Sequence, residues 1–359
     1  MDARWDPCIA HYGSDAATFI AEYFASKEKK VLFIAGAGFD PRASLVASHF
    51  KAVGAAVNGI LIREDRPDAD QTLFTYANSN IDALKTFIAN PKIHSVNIFG
   101  TDGAVIGGRH LINFFSTTSV DGFTDVVIDI SALSVGASFP LIRYFLKRLN
   151  DEKKANLHIF VSHSSDLDDK IKPIASDSAG TVHGFRGKLG LDTNARAAKL
   201  WLPQLAPGRT SILSRIFETV VPDDTCPILP FPSPRPRLGD ELVEQFAVEL
   251  EDTWEVDPRS LVYAAENDPL DLYRTILRID DFRKKVFSEI GGSLMILSPV
   301  GSKVMALGAL LAAIERDLPV VYLEAMGYDF QHMSTGLQVQ SELVHVWIEG
   351  DAYSPDHGR

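Results

Sequence analysis

Short apolar runs alternate with amphipathic stretches through residues 30 to 166. The runs have the length of buried strands, and the stretches between them have the hydrophobic spacing of helices. The predicted strands are Val31–Ile34, Val57–Arg63, Ser95–Phe99, Thr124–Ile130 and Leu157–Val161. Strands that alternate with helices form parallel sheets, because each helix carries the chain back to the same end of the sheet. We therefore predict a doubly wound parallel sheet, whose ligands would bind beyond the carboxyl ends of the strands.

The same alternation returns in the last third of the chain. Leu294–Leu297 is a buried strand, a polar turn follows, and residues 304–315 form an Ala- and Leu-rich buried helix. A second apolar strand follows at Pro319–Leu323. This strand–helix–strand unit implies another parallel sheet. The predicted fold class is therefore α/β, with two Rossmann-like halves built on mainly parallel, doubly wound sheets.

The length of 359 residues is typical of a two-domain protein. The expected parts are an N-terminal Rossmann-like domain at 1–166, a connector at 167–192 and a C-terminal α/β domain at 193–359. The last contains a proline-dense loop at 222–237, whose prolines disfavour both helix and central strand. Arg235 and Arg237 in this loop either reach a phosphate or face solvent. A final strand is expected at Leu343–Glu349, antiparallel and at a sheet edge.

The turn Ser298-Pro-Val-Gly-Ser-Lys303 is the best predicted anion site. It follows a strand and precedes a helix, where unpaired backbone N–H groups and the helix dipole favour negative charge. Gly301 permits close approach of the backbone, Ser302 can donate a hydrogen bond, and Lys303 adds positive charge. The alternative is structural, with Ser302 as a helix cap and Lys303 in solvent. The turn Gly208-Arg-Thr210 is a weaker anion site.

A second candidate site is the turn Gly36-Ala-Gly38, which follows a strand and precedes Asp40-Pro41. Asp40 is a good N-cap, and Pro41 suits the first helical position. A strand, a glycine turn and a helix are the ingredients of a dinucleotide or S-adenosylmethionine (SAM) loop, although the third glycine of the dinucleotide motif is missing. Glu64 ends the next strand, where such proteins hold ribose hydroxyls. Alternatively, it belongs to a solvated acidic loop.

Composition narrows the classes of function. A net charge of −12 disfavours broad binding of duplex nucleic acid. Two cysteines without a CxxC motif disfavour a disulfide framework or structural zinc, and no histidine spacing predicts a metal site. No apolar run reaches the ~18 residues of a membrane span, and the first residues are too polar for a signal peptide. We expect a cytoplasmic protein without a membrane partner.

Two motifs resemble parts of known families. The run Gly36-Ala-Gly-Phe-Asp-Pro-Arg42 resembles the Gly-x-Gly loop of SAM-dependent methyltransferases, over that loop alone. The unit Leu294–Ala313 resembles the late strand–turn–helix of CRISPR-associated Rossmann-fold (CARF) sensors, in which a Gly-Ser/Thr-Lys turn contacts a cyclic oligonucleotide. The resemblance implies Gly301, Ser302 and Lys303 as ligand contacts. It covers a small part of the chain, and no nuclease or winged-helix effector is recognisable after it.

Three functions remain open at the level of sequence. The first is a binding module for a nucleotide or other phosphorylated ligand, acting as a regulatory sensor. The second is a SAM- or nucleotide-dependent transferase or hydrolase with Asp40, Asp129 or Glu266 in its cleft. The third is a non-catalytic interaction subunit, bound to a protein partner or to a second copy of the chain. The sequence contains no P-loop, nucleophile elbow or kinase motif, so it assigns neither catalytic residues nor a cofactor.

Overall fold

The computed structural model describes residues 3–67, 70–152, 155–189, 197–289, 291–330 and 341–353. They form two compact units. The first combines Met1–Ser164 with Met326–Arg359, and the second is Ser165–Ala325. The sequence assigns everything after residue 193 to one C-terminal domain, whereas the structure returns 326–359 to the first unit, because the last strand pairs there. The predicted connector at 167–192 belongs to the second unit, except that its residues 190–192 lie outside the described ranges.

The elements of the first unit, up to its exit from the sheet, are β1 (Ile9–Tyr12), α1 (Ser14–Tyr23), β2 (Lys30–Gly36), α2 (Leu45–Ala52), β3 (Ala56–Asp65), α3 (Gln71–Phe87), β4 (Lys92–Asn97), α4 (Gly107–Ser116), β5 (Asp125–Asp129), α5 (Val135–Glu152) and β6 (Asn156–His163). The second unit contains α6 (Ser165–Lys170), β7 (Ile171–Ala175), β8 (Gly180–Thr181), β9 (Ala198–Pro203), α7 (Thr210–Val220), β10 (Asp224–Thr225), β11 (Ile228–Pro230), α8 (Leu238–Gln245), β12 (Val262–Ala264), α9 (Pro269–Phe287), β13 (Ser293–Ser298), α10 (Lys303–Arg316) and β14 (Val321–Tyr322). The chain ends with β15 (Ala325–Phe330) and β16 (Glu342–Glu349).

The first unit is built on a seven-stranded sheet of order β1-β16-β6-β5-β2-β3-β4. Strands β2 to β6 are parallel, which confirms the predicted doubly wound sheet. Strand β16 is antiparallel to both β6 and β1, as the sequence predicts for its direction. The prediction that it lies at the edge is wrong, because the four-residue strand β1 covers its outer side.

The direction of strand addition reverses once in this sheet. From β2 the chain adds β3 and β4 on one side, and it then returns to add β5 and β6 on the other. Since parallel crossovers are right-handed, this reversal puts α2 and α3 on one face and α4 and α5 on the other. The contacts of α2 with α3, and of α4 with α5, agree with this arrangement. The carboxyl ends of β2 and β5 therefore diverge into loops on opposite faces.

The second unit repeats this strand order. Strand β9 is central, with β13 on one side and β10 on the other, all parallel. Further bridges join Gln204 to Ile228 of β11 and Leu297 of β13 to Val320, and β11 pairs in parallel with β12. Strands β10 and β11 both pair with the β9 region, at Leu200–Trp201 and at Gln204, so they share one position in the sheet. The resulting order, β14-β13-β9-β11-β12, matches β6-β5-β2-β3-β4 of the first unit. As the sequence predicts, both units are Rossmann-like.

The proline-dense loop contains a strand that the sequence does not predict. Strand β11 lies between β9 and β12, although Pro227 precedes it and Pro230 ends it. The Pro227 carbonyl accepts from the Val262 N–H at 2.9 Å, and the Phe231 N–H donates to Ala264 at 2.7 Å. Alternate residues therefore make the bonds to β12, so Pro230 needs no N–H on that side. The expectation that prolines exclude a central strand here is wrong for this reason.

Helix α10 is buried along most of its length and packs on α9. Gly308 in its middle allows the two helices to approach closely, because an added Cβ would lie 2.3 Å from the carbonyl oxygen of Pro269. Helix interiors disfavour glycine by about 1 kcal/mol relative to alanine. The helix crossing therefore requires a residue that the helix itself disfavours. Within the described part of the chain, no helix is both long and apolar enough to cross a membrane.

We predict that Gly308→Ala lowers the free energy of unfolding by about 1–3 kcal/mol, because overpacking outweighs the better helix propensity of alanine. The matched control is Gly239→Ala in α8, where the added Cβ meets only the Pro230 carbonyl oxygen at 4.0 Å. That change should raise the same free energy by up to about 1 kcal/mol. Urea unfolding followed by circular dichroism measures both, and effects of the same sign would contradict the packing argument.

Candidate ligand-binding site

Each unit has one point where the strand order reverses. In the first unit it lies between β2 and β5, and in the second between β9 and β13. Neighbouring strands there send their loops to opposite faces, which leaves a crevice at the carboxyl edge where ligands of open α/β sheets bind. The turn at Gly36 follows β2 and the turn at Ser298 follows β13. Both sites predicted from the sequence therefore adjoin a reversal point.

In the first unit the glycine turn packs against protein. A Cβ added at Gly36 would lie 2.6 Å from the carbonyl oxygen of Ala132, in the loop after β5. Gly38 has more room, and its carbonyl accepts a hydrogen bond from the Asn80 side chain at 2.8 Å. The same amide donates to the carbonyl of Asp40 at 2.9 Å. Gly36 is thus explained by the close approach of two loops, without a ligand.

The predicted carboxylates of the first unit already have protein partners. Asp40 caps the turn at Pro41–Ser44 through the Arg42 N–H at 2.9 Å, and the Arg42 guanidinium donates to both of its oxygens. Glu64 accepts from the Ser134 N–H at 2.8 Å and from Arg66 at 2.6 Å. Each oxygen of both carboxylates is therefore engaged. A ligand that bound Asp40 or Glu64 would have to displace one of these partners.

Asp129, the third acidic candidate of this unit, is also engaged. It is almost fully buried, and it accepts from the Ser131 N–H at 2.9 Å and the Ser131 hydroxyl at 2.5 Å. The Ser131 hydroxyl in turn accepts from the Ser162 N–H at 2.8 Å. These bonds tie the loop after β5 to the end of β6. The geometry gives Asp129 a role in holding that loop.

In the second unit, the turn at 298–303 divides into a buried part and an open part. Ser298 is fully buried: it accepts from the Trp201 indole at 2.8 Å and donates to the Val321 carbonyl at 2.9 Å. It therefore ties together the strand region of β9, β13 and β14. The prediction that Ser298 faces a ligand is wrong, because both of these partners lie in the core.

The open part of the turn begins at Gly301. A Cβ there would lie 2.8 Å from the buried amide oxygen of Gln204, so the close approach of the β9 loop requires glycine. Ser302 caps α10 by accepting from the Met305 N–H at 3.2 Å, and it donates to the Glu266 carbonyl at 3.4 Å. Lys303 is half-buried and is the first residue of α10. The structural alternative for Ser302 as a cap is confirmed.

A cleft opens beside this turn, at the reversal point of the second unit. Its walls come from the loops after β9, β11, β12 and β13 and from helix α6, and they combine acidic, basic and small side chains. The lining residues are Ser165, Asp168, Asp169, Leu205, Ala206, Pro207, Arg209, Pro230, Arg235, Leu238, Glu266, Val300, Gly301, Ser302 and Met305. The volume is about 40 Å³, enough for roughly three waters at ~10–15 Å³ each. The space therefore suits one small polar group.

Several helices begin at this cleft. Helix α10 starts from Ser302, α7 starts after Arg209, and α8 starts at Leu238, all three of which line the cleft. Neither α7 nor α8 has a side-chain hydrogen bond to its first turn from the capping residue. Helix starts carry partial positive charge and N–H groups without helical partners. The cleft thus gathers the positive ends of three helices.

The charged side chains of the cleft have partners within the protein. Arg235 pairs with Asp169 at 2.5 Å, and Arg209 donates to the Ile171 carbonyl at 3.0 Å. Burial raises the pKa of Asp169 above its usual range, although Arg235 opposes this effect. Glu266 is buried and accepts from the Ser233 hydroxyl at 2.5 Å. The cleft therefore presents two arginines together with acceptors.

Sequence reasoning found part of this cleft. Gly301, Ser302, Glu266 and the arginines stand out because they lie in turns at strand ends. It missed Asp168 and Asp169 on the short helix α6, which comes from the segment predicted as a connector. No local signal identifies them, since acidic residues in a polar stretch are usually solvated. Among the described residues, no group of three or more His, Cys, Asp or Glu side chains is placed to hold a metal ion.

The chain contains an internal comparison for the role of Asp40. The sequence Asp257-Pro-Arg259 repeats Asp40-Pro-Arg42 with the same cap and guanidinium bonds, but Arg259 is exposed whereas Arg42 is buried. We predict that Asp40→Asn lowers the free energy of unfolding by about 3–5 kcal/mol, because it leaves a buried guanidinium without its carboxylate. Asp257→Asn should change little, because solvent screens an exposed pair. Thermal unfolding at pH 7 compares them, and equal losses would show that burial is not the cause.

Comparisons with known proteins add little to this geometry. No protein-family model matches the chain, and no curated protein is significantly similar to it. Among solved structures, the CcbJ methyltransferase from Streptomyces caelestis aligns with 12% identity and a TM-score of 0.21, over 46% of this chain and 57% of that enzyme. At this TM-score the likeness supports no inference about the site. The α/β, Rossmann-like architecture therefore rests on the strand order of the chain itself.

Proposed function

We propose that the cleft of the second unit binds the phosphate group of a nucleotide or another phosphorylated ligand. One observation carries this proposal: the starts of α7, α8 and α10 and the side chains of Arg209 and Arg235 meet at the reversal point of a parallel sheet. Reversal points are where such sheets bind ligands. Helix starts and guanidinium groups are both suited to phosphate oxygens.

The ion pair between Arg235 and Asp169 at the cleft wall could be replaced by one between Arg235 and a phosphate. Arg235 is bound to Asp169, and a phosphate would compete for the same guanidinium. The raised pKa of Asp169 means that its ionised form is already disfavoured by burial. Because Arg235 lowers the pKa of Asp169, loss of this partner to a phosphate would raise that pKa further and favour proton uptake by the carboxylate. A bound phosphate would form the ion pair with Arg235, and Asp169 would then bind a proton or accept a hydrogen bond from water.

The size of the cleft limits what it encloses. About 40 Å³ accommodates a single phosphate-sized group, so the remainder of a nucleotide would lie across the open mouth. Ser302, which is partly exposed and lines the cleft, offers an oxygen that can bind a sugar hydroxyl. Lys303 adjoins Ser302 and would add long-range attraction for anions. The hypothesis of a regulatory sensor for a nucleotide, such as a cyclic oligonucleotide, follows from the resemblance of this same turn to that of CARF sensors.

The transferase alternative receives no comparable support. It would use the Gly36–Gly38 turn, where Gly36 packs on Ala132 and both Asp40 and Glu64 have protein partners. The interaction-subunit alternative predicts that no small molecule binds. A ligand screen therefore separates these hypotheses.

We predict that a thermal-shift screen with AMP, ATP, cyclic tetra-adenylate, NAD, SAM and pyrophosphate will give a dose-dependent rise in melting temperature for a phosphorylated compound. Arg235→Gln should weaken that compound by about 1–3 kcal/mol, because a charge-assisted contact is lost. The matched control is Arg237→Gln, which changes an exposed arginine of the same loop that does not line the cleft. Isothermal titration calorimetry measures both affinities.

The same two variants also show which results would contradict the proposed phosphate site. If both weaken binding equally, general surface charge explains the effect and the cleft is not the site. If a ligand binds and neither variant matters, the site lies elsewhere. If no compound shifts the melting temperature, the interaction-subunit hypothesis gains support, and co-purification of a protein partner becomes the next measurement.

A further inference from the structure

Three histidines and an aspartate form a continuous hydrogen-bonded chain across the first unit. His11 lies on β1, His345 on β16, His158 on β6 and Asp125 on β5, which are four consecutive strands of the sheet. The links are His11 Nδ1 to His345 Nδ1 at 3.0 Å, His345 Nε2 to His158 Nδ1 at 3.0 Å, and His158 Nε2 to Asp125 Oδ1 at 3.2 Å. The chain begins at a partly exposed ring and ends at a fully buried carboxylate.

The carboxylate fixes the direction of these bonds. Burial acts to raise the pKa of Asp125, but hydrogen bonds from His158 and Thr124 bring it down to about 2, so the group is ionised and only accepts. His158 must then donate from Nε2, which leaves its Nδ1 to accept from His345. His345 Nδ1 accepts in turn from His11. All three rings are neutral in this arrangement, and every proton points towards Asp125.

The chain is enclosed mainly by aromatic side chains. Phe19 stacks on His11 and His345, with ring centroids 4.5 and 4.3 Å apart, and Trp347 packs on His158. The charged and titratable groups that face the chain are Asp15 near His11, and Lys29, Tyr23 and Asp351 at the Asp125 end. His158 and His345 have no exposed surface. Of the four side chains that form the hydrogen-bonded chain, His11 alone has exposed surface, so it is the one that can take up a proton directly from solvent.

The hydrogen-bonded series His11–His345–His158–Asp125 can bind one additional proton without losing a hydrogen bond. If a proton binds the outer nitrogen of His11, each ring can pass its inward proton to the next, and the charge arrives on His158 beside Asp125. A second proton has no such place. It would set two N–H groups against each other across a 3.0 Å gap, so one link between strands must break.

We propose that the chain His11–His345–His158–Asp125 is a proton-operated clasp that holds β1 and β16 on the parallel sheet and releases them when a second proton binds. The links cross the β1–β16 and β16–β6 boundaries, which are the antiparallel additions to the parallel core. Breaking one therefore loosens the added strands and spares β2 to β5.

The pH dependence follows from counting protons. Burial lowers the pKa of both His158 and His345. Released imidazoles titrate near 6.5, so below that pH the open form binds up to two more protons than the closed form. The opening equilibrium should rise by up to 100-fold per pH unit as the pH falls below 6.5. Well above pH 6.5 the three rings are neutral in both forms, so the opening equilibrium no longer depends on pH and the clasp stays closed.

Hydrogen–deuterium exchange of the full chain, corrected for intrinsic exchange rates, tests the clasp. Between pH 6.5 and 5.5 we expect the protection of β1 and β16 amides to fall at least tenfold, while β2 and β5 amides keep theirs. Loss of protection in all four strands at the same pH would mean global unfolding and would overturn the proposal. So would unchanged protection of β1 and β16.

Variants separate proton binding from simple loss of packing. His345→Gln places an amide between His11 and His158, which accepts from one ring and donates to the other. The closed variant therefore still holds one additional proton and the open form holds two, so the pH dependence of β1 and β16 opening should fall to about tenfold per pH unit. His110→Gln, on the exposed face of α4, is the control and should keep the wild-type dependence. If His345→Gln does not fold, His11→Gln at the partly exposed end leaves two rings and should limit the dependence to about tenfold per pH unit. Wild-type pH dependence in the folded histidine variants would overturn the proposal.

Discussion

The handedness of the connections between parallel strands is the constraint on which both units depend. Since each strand–helix–strand crossover is right-handed, helices can cover both faces of a sheet only if the chain returns past its first strand. That return occurs at β2 and β5 in the first unit and at β9 and β13 in the second. It separates the loops at these two points and leaves a crevice at each carboxyl edge. The candidate sites follow from this topology before any side chain is considered.

The two crevices differ in what fills them. In the first unit, backbone and side chains close the space: the Ala132 carbonyl contacts Gly36, and Glu64 binds Ser134. In the second unit, Gly301 lets the Gln204 loop approach on one side, while arginines and helix starts border an open cleft on the other. The same fold thus supports a closed structural centre in one unit and a polar cleft in the other. This difference is why we propose ligand binding for the second unit.

The histidine chain lies in a different part of the first unit from its reversal point. Asp125 is the first residue of β5, whereas the loops of the reversal point follow the last residue of that strand. The histidine chain instead joins β1 and β16, the two strands that extend the parallel sheet, to that sheet. Burial lowers the pKa of all three histidines and so favours their neutral forms. Neutral rings are compatible with a core because each nitrogen between the rings has a partner. In our proposal, proton uptake acts on these two added strands.

The sequence by itself determined the features that depend on neighbouring residues. Apolar runs predicted the parallel strands, and Asp40 and Ser302 act as the caps that their local patterns indicate, because a cap bonds to a backbone N–H two or three residues away. Only the tertiary structure decided which polar groups turn inward. Ser298 meets Trp201, Glu64 meets Ser134, and β16 returns to β6 after a whole second unit. His11 and His345 are 334 residues apart in sequence, and no local pattern encodes contacts over such a separation. The fold class was therefore readable from the chain, whereas the cleft and the histidine chain exist only once distant strands are brought together.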